Sequence, residues 1–242
     1  MKKISVILPC YNEEKRIEST LKATVEFSKK NPNYEFIFVD DGSRDKTAEI
    51  LNKKIVKMRG NKIKLISYKK NMGKGYAVKI GVASAEGDYI CFTDSDLAYS
   101  LEHLKTMEKM LERCDIVIGR RGLASENIKN IPTLRRIIGI GYNLFSRAIL
   151  NLNYKDMQAG IKGFRKEAAK KLFQKQIIKG WSFDTEVLYL AQKNGYKIRE
   201  MPAKISNNDS YKTSKVKIVR DSIKMFLSLL KIRLNDAIGK YK

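Results

Sequence analysis

Short apolar runs alternate with amphipathic stretches through the first half of this chain, and that alternation constrains its fold more than any other feature. ISVILPC from Ile4, YEFIFVDD from Tyr34, KIKLISY from Lys62, YICFTDSD from Tyr89 and DIVIGRR from Asp115 each read as a strand. Between them, Glu14 to Lys30, a segment starting at Asp45, Lys74 to Ala85 and Leu101 to Arg113 read as helices. Asp45 and Thr47 bring N-cap chemistry to the second of these. The pattern predicts a doubly wound α/β fold with a parallel sheet. Such sheets bind ligands at the carboxyl ends of their strands. Asp40–Asp41, Asn71, Asp94–Asp96 and Arg120–Arg121 all fall at those ends, which predicts a single shared site.

The second half is less regular. Arg135 to Leu152 reads as a helix, and DMQAGIKGFR from Asp156 as a turn and a short strand. GWSFDTEVLYLAQKNG from Gly180 holds a helix that Gly195 ends, since glycine takes the left-handed turn that closes helices. IREMPAKIS from Ile198 reads as a strand, and Ser214 to Ile238 as a last helix. The 242 residues contain no linker-like tract and no repeat, which fits one large domain or one domain with an appendage.

Charge sets the class of partner. There are 49 Lys and Arg against 26 Asp and Glu, a formal net charge of +23. Such a surface attracts nucleic acid, anionic lipid or phosphorylated substrates, although a Lys-rich composition also describes a plain solvated surface. Cys10, Cys91 and Cys114 make no metal-ligand pattern, and Cys10 and Cys91 lie in apolar runs as expected of buried thiols, the simplest setting being a reducing compartment. No window approaches the roughly 18 apolar residues that span a bilayer, so a soluble or peripheral protein is expected.

Four motifs carry candidate chemistry. In Asp94-x-Asp96 alternate residues of an extended chain point the same way, so both carboxylates can address one hard cation, with diphosphate oxygens completing its shell. Alone, two acids at a strand end are a weak signal. VDDGS from Val39 places two acids and a glycine past another strand, suited to a base N–H or a ribose hydroxyl, or to an ordinary turn and cap. PCYNEE from Pro9 offers an aromatic face at Tyr11 and an acid at Glu13. KNMGKGYA from Lys70 lacks the Walker spacing, but Gly73, Lys74 and Gly75 at a helix start suit the approach of an anion.

Taken in order, ILPCYNEE, FVDDGSRDKT, NMGKGYAVKIG, FTDSDLAYS, IGRR, DMQAGIKGF, WSFDTEVLYLAQ and SKVKIVRDSIKMFLSLLKIRL resemble the family-two glycosyltransferases of GT-A fold over nearly the whole chain. Within that family they are similar to the dolichyl-phosphate β-glucosyltransferases and, more distantly, the dolichyl-phosphate mannose synthases. The resemblance implies a Rossmann-like GT-A domain over residues 1–211 with a mostly parallel sheet, and a basic amphipathic C-terminal helix over 212–242. It implies inverting transfer of a hexose from a nucleotide sugar to dolichyl or polyprenyl phosphate, for glycan or protein glycosylation. UDP-glucose is the favoured donor and Mg²⁺ or Mn²⁺ the expected metal. Mannose, N-acetylglucosamine or a hydroxyl acceptor are the alternatives. By the same resemblance Pro9, Tyr11, Glu13 and Asp41 grip the nucleoside, with Asp40 in support. Lys74, Asp94, Ser95 and Asp96 hold the diphosphate, Asp94 and Asp96 through the metal. Asp156, Gln158 and Gly160 line the sugar and acceptor pocket, and Asp184 sits at the reaction centre. Ala98 departs from the pattern, because mannose synthases often carry Gln there and alanine cannot be a side-chain ligand.

An anionic acceptor needs cations, and Arg121, Arg135, Arg136 and Lys215 are the candidates, Arg121 being best placed past a strand end. Asp184 would orient such an acceptor, or act as general base toward a hydroxyl. From Lys212 onward nine basic residues face two acids. Val216, Val219, Ile223, Phe226, Leu227, Leu230 and Leu234 form one apolar stripe of the last helix, and Ile218, Met225, Leu229 and Ile232 a second. One strip can dock on the domain while the other meets lipid, which predicts a peripheral protein on the cytoplasmic face of a membrane. A basic nucleic-acid-binding protein is the non-enzyme alternative. It is disfavoured because no RNA- or zinc-binding signature accompanies the charge, and no nucleic-acid partner is expected.

Overall fold

In the computed structural model, residues 1–58, 62–123, 133–205 and 218–242 are described. Seven strands, β1 (Ile4–Cys10), β2 (Tyr34–Asp40), β3 (Ile63–Ser67), β4 (Tyr89–Thr93), β5 (Ile116–Arg120), β6 (Ile161–Arg165) and β7 (Ile198–Pro202), form one sheet in the order β3-β2-β1-β4-β6-β5-β7. Eight helices accompany them among the described residues. They are α1 (Ile17–Lys30), α2 (Thr47–Lys57), α3 (Lys74–Ser84), α4 (His103–Leu111), α5 (Thr133–Leu150), α6 (Lys166–Lys175), α7 (Phe183–Lys193) and α8 (Ile218–Ala237).

β1 is parallel to β2 (Ile4 opposite Tyr34) and to β4 (Ile4 opposite Tyr89), so β1, β2 and β4 end on one edge. All seven residues of β1 and of β2 are buried, as expected where helices cover both faces. Alternation then splits the core in two. Ile7, Val39, Phe92 and Phe164 face α3, α6 and α7, whereas Val6, Leu8, Phe36 and Leu104 belong to the layer beneath α1, α2 and α4.

One strand departs from the parallel pattern: β6 runs antiparallel to both β4 (Thr93 opposite Ile161) and β5 (Ile116 opposite Phe164). The chain leaves β5 at the carboxyl edge and re-enters the sheet at that same edge. An antiparallel strand therefore delivers the residues before it, Asp156 to Gly160, to the site, where a parallel strand would deliver those after it. Helix α6 follows β6 directly and was not anticipated, because KEAAKKLFQK is short and highly charged.

Three of the sequence-derived features survive in detail. Gly195 has φ +73°, the left-handed value that a helix-ending glycine adopts. Asp45 Oδ1 accepts from Thr47 N at 3.0 Å at the start of α2. The cysteines are free and buried, and burial pushes the Cys91 thiol up to about 12.

Helix α8 docks through Leu229 and Ile232, both fully buried, with Met225 and Phe226 partly so. Phe226 meets Tyr142 and Phe145 of α5 edge-on, at ring separations of 5.8 and 5.2 Å. The other strip is open. Ile223, Leu227, Leu230, Leu234 and Ile238 are 55–59% exposed, and Ile140, Leu144 and Phe145 of α5 are exposed beside α8. By sequence Phe226 shares a stripe with Ile223, Leu227, Leu230 and Leu234; of these its ring turns to α5 while the other four stay exposed. Val216 lies outside the described residues. No helix among the described residues is long and apolar enough to cross a membrane.

Phe164 is fully buried, stacked on Phe92 at 6.3 Å and edge-on to Phe173 at 5.5 Å. Phe164→Ala is expected to lower stability by about 3–5 kcal/mol, read from chemical denaturation.

Candidate active site

The site is built around the turn that leaves β4. Beyond Thr93 come Asp94, Ser95 and Asp96, and the turn closes with Leu97 at φ +49° and Ala98 N donating to Asp96 Oδ1 at 3.0 Å. A left-handed conformation at leucine costs energy, so the surroundings must enforce it. One restraint is Thr20 of α1, whose hydroxyl donates to Ser95 O at 2.6 Å. Ser95 is itself buried, which makes it part of the support beneath the acids.

Gly160, just ahead of β6, lies against Asp94. A Cβ on Gly160 would fall inside the van der Waals radius of Asp94 Oδ2, so only glycine permits this packing. Lys74, the first residue of α3, sets its Nζ 2.5 Å from Asp94 Oδ1. Burial pushes the Lys74 ammonium down, but Asp94, Asp184 and Asp96 outweigh it and hold its pKa above the ordinary lysine value. Asp96 is raised, first by burial and then by the negative charge of Asp94.

Behind them lies a second ion pair. Lys162 of β6 is fully buried, with Nζ 2.8 Å from Asp184 Oδ1 at the start of α7, and it also donates to Ala159 O at 2.7 Å. The Asp184 contact is charge against charge, without an aligned hydrogen bond. Burial raises Asp184 and lowers Lys162, each opposed by the charge of the other. Sequence reasoning passed over Lys162. The signal was a lone basic residue inside GIKGF, where a short apolar strand next to two acidic motifs has no plain reason to carry one.

Arg121 and Asp156 form a two-pronged pair, Nε to Oδ2 at 2.7 Å and Nη2 to Oδ1 at 2.8 Å, and Arg121 N also donates to Oδ2 at 3.0 Å. Burial raises Asp156, but the guanidinium prevails and holds it below the usual carboxylate range. The pair ties the end of β5 to the segment before β6. Nearby, Gln158 Nε2 is buried without a hydrogen-bond partner among the described residues, a donor left over for a ligand.

The nucleoside side differs from the sequence expectation. Asp41 is buried, and its carboxylate accepts from Tyr68 OH (2.9 Å), Asn71 Nδ2 (2.9 Å), Met72 N (2.7 Å) and Gly73 N (2.9 Å). It ties down the loop before α3, where an open grip on a base was expected. Asp40 accepts from Ser43 N at 3.3 Å and Ser67 Oγ at 3.1 Å. The backbone of the Gly73-Lys74-Gly75 start is likewise committed, with Gly73 N on Asp41 and Gly75 N on Lys179 O at 2.7 Å. An anion there meets the Lys74 side chain rather than a cradle formed by those two amides. Pro9 is buried inside β1, and Tyr11 is half-buried in the loop beyond it. That loop is zipped to the loop after β2 by Asn12 N on Ser43 Oγ (2.8 Å) and Glu13 N on Thr47 Oγ1 (2.7 Å). Glu13 itself is ion-paired with Arg16 at 2.7 Å. Arg135 and Arg136 fall in the first turn of α5, where side chains are outside the described residues, as is Lys215.

Residues 5–173 match the family described as glycosyl transferase family 2. A dolichyl-phosphate β-glucosyltransferase of Dictyostelium discoideum is 34% identical over 99% of this chain and 76% of its own length. The dolichyl-phosphate β-glucosyltransferase of Homo sapiens is 31% identical over 100% of this chain and 78% of its own. Among solved structures, glucosyl-3-phosphoglycerate synthase of Mycobacterium tuberculosis in complex with UDP superposes with a TM-score of 0.67 at 17% identity, over 97% of this chain and 79% of that one. The same enzyme has been solved with Mn²⁺, UDP and phosphoglyceric acid, with a TM-score of 0.63 at 18% identity over 94% and 78%. The chain belongs to glycosyl transferase family 2 and is a glycosyltransferase with the GT-A fold.

Removing Lys162 would take from buried Asp184 the cation it touches, leaving only the more distant charge of Lys74. Lys162→Met is expected to cost about 3–5 kcal/mol at neutral pH. An unpaired buried carboxylate has its folded pKa raised above the unfolded value, so the native state binds the extra proton as pH falls. The cost should therefore be largest above the raised pKa of Asp184 and shrink as pH drops through it, as denaturation at pH 7 and at about pH 5 would read.

Proposed function

We propose that this glycosyltransferase moves glucose from UDP-glucose to dolichyl or polyprenyl phosphate with inversion at the anomeric carbon. The observation that carries this reading is the convergence of Asp94, Asp96, Lys74 and Asp184 at the carboxyl edge of the sheet, with Gly160 packed against Asp94. The choice of sugar and acceptor is supported by the names of the relatives.

Asp94 and Asp96 fit a divalent cation. They are two hard oxygen donors, Asp96 being raised first by burial and then by the charge of Asp94, and the ammonium of Lys74 answers part of that negative charge. Mg²⁺ or Mn²⁺ held by this pair would supply charge neutralisation to the departing diphosphate. No three His, Cys, Asp or Glu side chains among the described residues are grouped so as to hold one ion together, so a metal held by Asp94 and Asp96 would keep places in its shell for diphosphate oxygens.

The bond from the anomeric carbon to the UDP phosphate oxygen breaks as the acceptor's phosphate oxygen attacks from the opposite face. Lys74 lies where the diphosphate gathers charge, and it offers a cation that needs no reorganisation. Asp184 has one oxygen against the Lys162 ammonium and orients the acceptor's approach. A phosphate monoester has a second pKa of about 6 and arrives largely ionised, so no base is required to deprotonate it. Arg121, paired with Asp156 at the end of β5, adds positive charge for that phosphate. Pro9, Tyr11 and Glu13 face the nucleoside, with Asp41 acting through the loop it ties down.

The acceptor lies in a bilayer, and the open strip of α8 beside α5 supports a peripheral address on the cytoplasmic face. Exposed Lys224 and Lys231 accompany the apolar residues, suiting a helix that sits among anionic headgroups. In this reading residues 1–211 are the catalytic unit, and within residues 212–242 helix α8 docks on it and turns its other side to lipid.

Wild-type enzyme with Mg²⁺ or Mn²⁺ should move label from UDP-glucose to an organic-extractable short polyprenyl product. Asp96→Ala should reduce this by about 10²-fold or more, the scale of losing a main electrostatic stabiliser. Label that reaches only hydroxyl acceptors, or comes only from GDP-mannose or UDP-N-acetylglucosamine, would overturn the assignment. Flotation with anionic vesicles tests the address separately: Leu227→Glu with Leu230→Glu should abolish co-flotation while UDP binding persists.

A further inference from the structure

The segment between α6 and α7, residues 176–181, has no strand or helix ladder of its own, yet the start of α3 is seated on it. Lys179 O accepts from Gly75 N at 2.7 Å and from Tyr76 N at 3.3 Å. A Cβ on Gly73 would stand 2.5 Å from Lys179 O, and one on Gly75 would stand 2.6 Å from Ile178 O. Both glycines let α3 approach the strap with no slack, so any shift of the strap moves the turn that carries Lys74. At the far end of the strap the Trp181 ring lies 5.4 Å from Lys74 Nζ.

A single carboxylate sets the strap. Ile177 N donates to Glu186 at 3.0 and 3.1 Å, and Ile178 N donates to Glu186 Oε2 at 2.8 Å. Glu186 is fully buried on α7, two residues beyond Asp184. Its remaining donor comes from a distant part of the chain: Tyr241 OH lies 2.5 Å from Oε1, in the turn that follows α8. Tyr241 is buried, and its own carbonyl accepts from Lys175 Nζ at 2.9 Å, beside the strap's root. An unbroken run of hydrogen bonds thus leads from the turn after α8, through Glu186 and the strap, to the first residues of α3.

We propose that Glu186 and Tyr241 are positioning residues for the donor site, setting the strap and through it the place of Lys74. The inference rests on reading Lys74, Asp94 and Asp96 as the site of the nucleotide diphosphate. Buried carboxylate networks of this kind hold one geometry because each lost donor leaves an acceptor unsatisfied. The helix bearing the open apolar strip is by this route tied to the grip on the donor.

Trp181 is the only tryptophan in the chain, so its emission reports the strap directly. Full-length wild type, Tyr241→Phe and Glu186→Gln are titrated with UDP in the presence of Mn²⁺, following that emission, with kcat, both KM values and the melting temperature measured in parallel. Tyr241→Phe removes one hydroxyl and keeps the ring, which protects the fold if Glu186→Gln does not fold. The expected result is altered Trp181 emission and a Kd for UDP raised about fivefold, the scale of coupling between linked sites. The donor KM should rise with it, while the acceptor KM stays unchanged. A Tyr241→Phe enzyme that melts earlier but keeps wild-type emission and UDP affinity overturns the proposal and leaves Tyr241 a core residue. Wild type that binds no UDP overturns the donor-site reading, and the proposal with it.

Discussion

The site depends on a balance of buried charge. Asp94, Asp96 and Asp184 gather at one edge of the sheet, where burial penalises the ionised forms of Asp96 and Asp184. Such a group of acids stays charged only beside cations, and different elements supply them: Lys74 from the start of α3 pairs with Asp94, Lys162 from within β6 pairs with Asp184, and the charge of Arg16 also favours ionised Asp96. Lys162 is fully buried and serves the interior side of the cluster, whereas Lys74 faces the open side. Because Lys162 pairs with Asp184 on the interior side, a ligand arriving at Asp94 and Lys74 would leave that buried pair intact.

Topology makes the balance possible. A wholly parallel sheet would carry the residues before β6 to the edge away from the site. Because β6 is antiparallel, Asp156, Gln158 and Gly160 arrive at the carboxyl edge, Gly160 against Asp94, and Lys162 follows two residues later on a strand wedged between β4 and β5. The absence of a side chain at Gly160 is then a steric requirement of the Asp94 carboxylate. The Arg121–Asp156 pair fastens the same segment to the end of β5, so its several contacts reinforce a single placement.

The outer surface follows a different rule. Helix α8 spends one apolar strip on the core through Leu229 and Ile232 and leaves another open beside α5. A soluble helix that needed only to dock would have little use for the second strip. With the proposed acceptor, a phosphate at the water boundary on an isoprenoid tail in lipid, an apolar face flanked by lysines would bring the site to where the two phases meet.

Much of this was legible in the residue order. The period of apolar residues determined the strands and most helices, because alternation of 2 and 3.6 is a local property of the backbone. The strand-end acids at 40–41 and 94–96 marked the site, and the two strips of α8 could be separated on a helical wheel before one was seen to dock. Other features required the tertiary structure. The direction of β6 depends on which edge of the sheet the chain re-enters, a long-range matter no local period encodes. Asp41 looked like an open acceptor, but the loop before α3 folds back and donates to it from four groups. Lys162 looked like one more lysine among many until the strand carrying it was placed between two others. The sequence by itself determined which groups are available and where each element begins, since those follow from local chemistry. Only the tertiary structure decided which charges face each other, because pairing in a low-dielectric interior depends on distances between residues far apart in the chain.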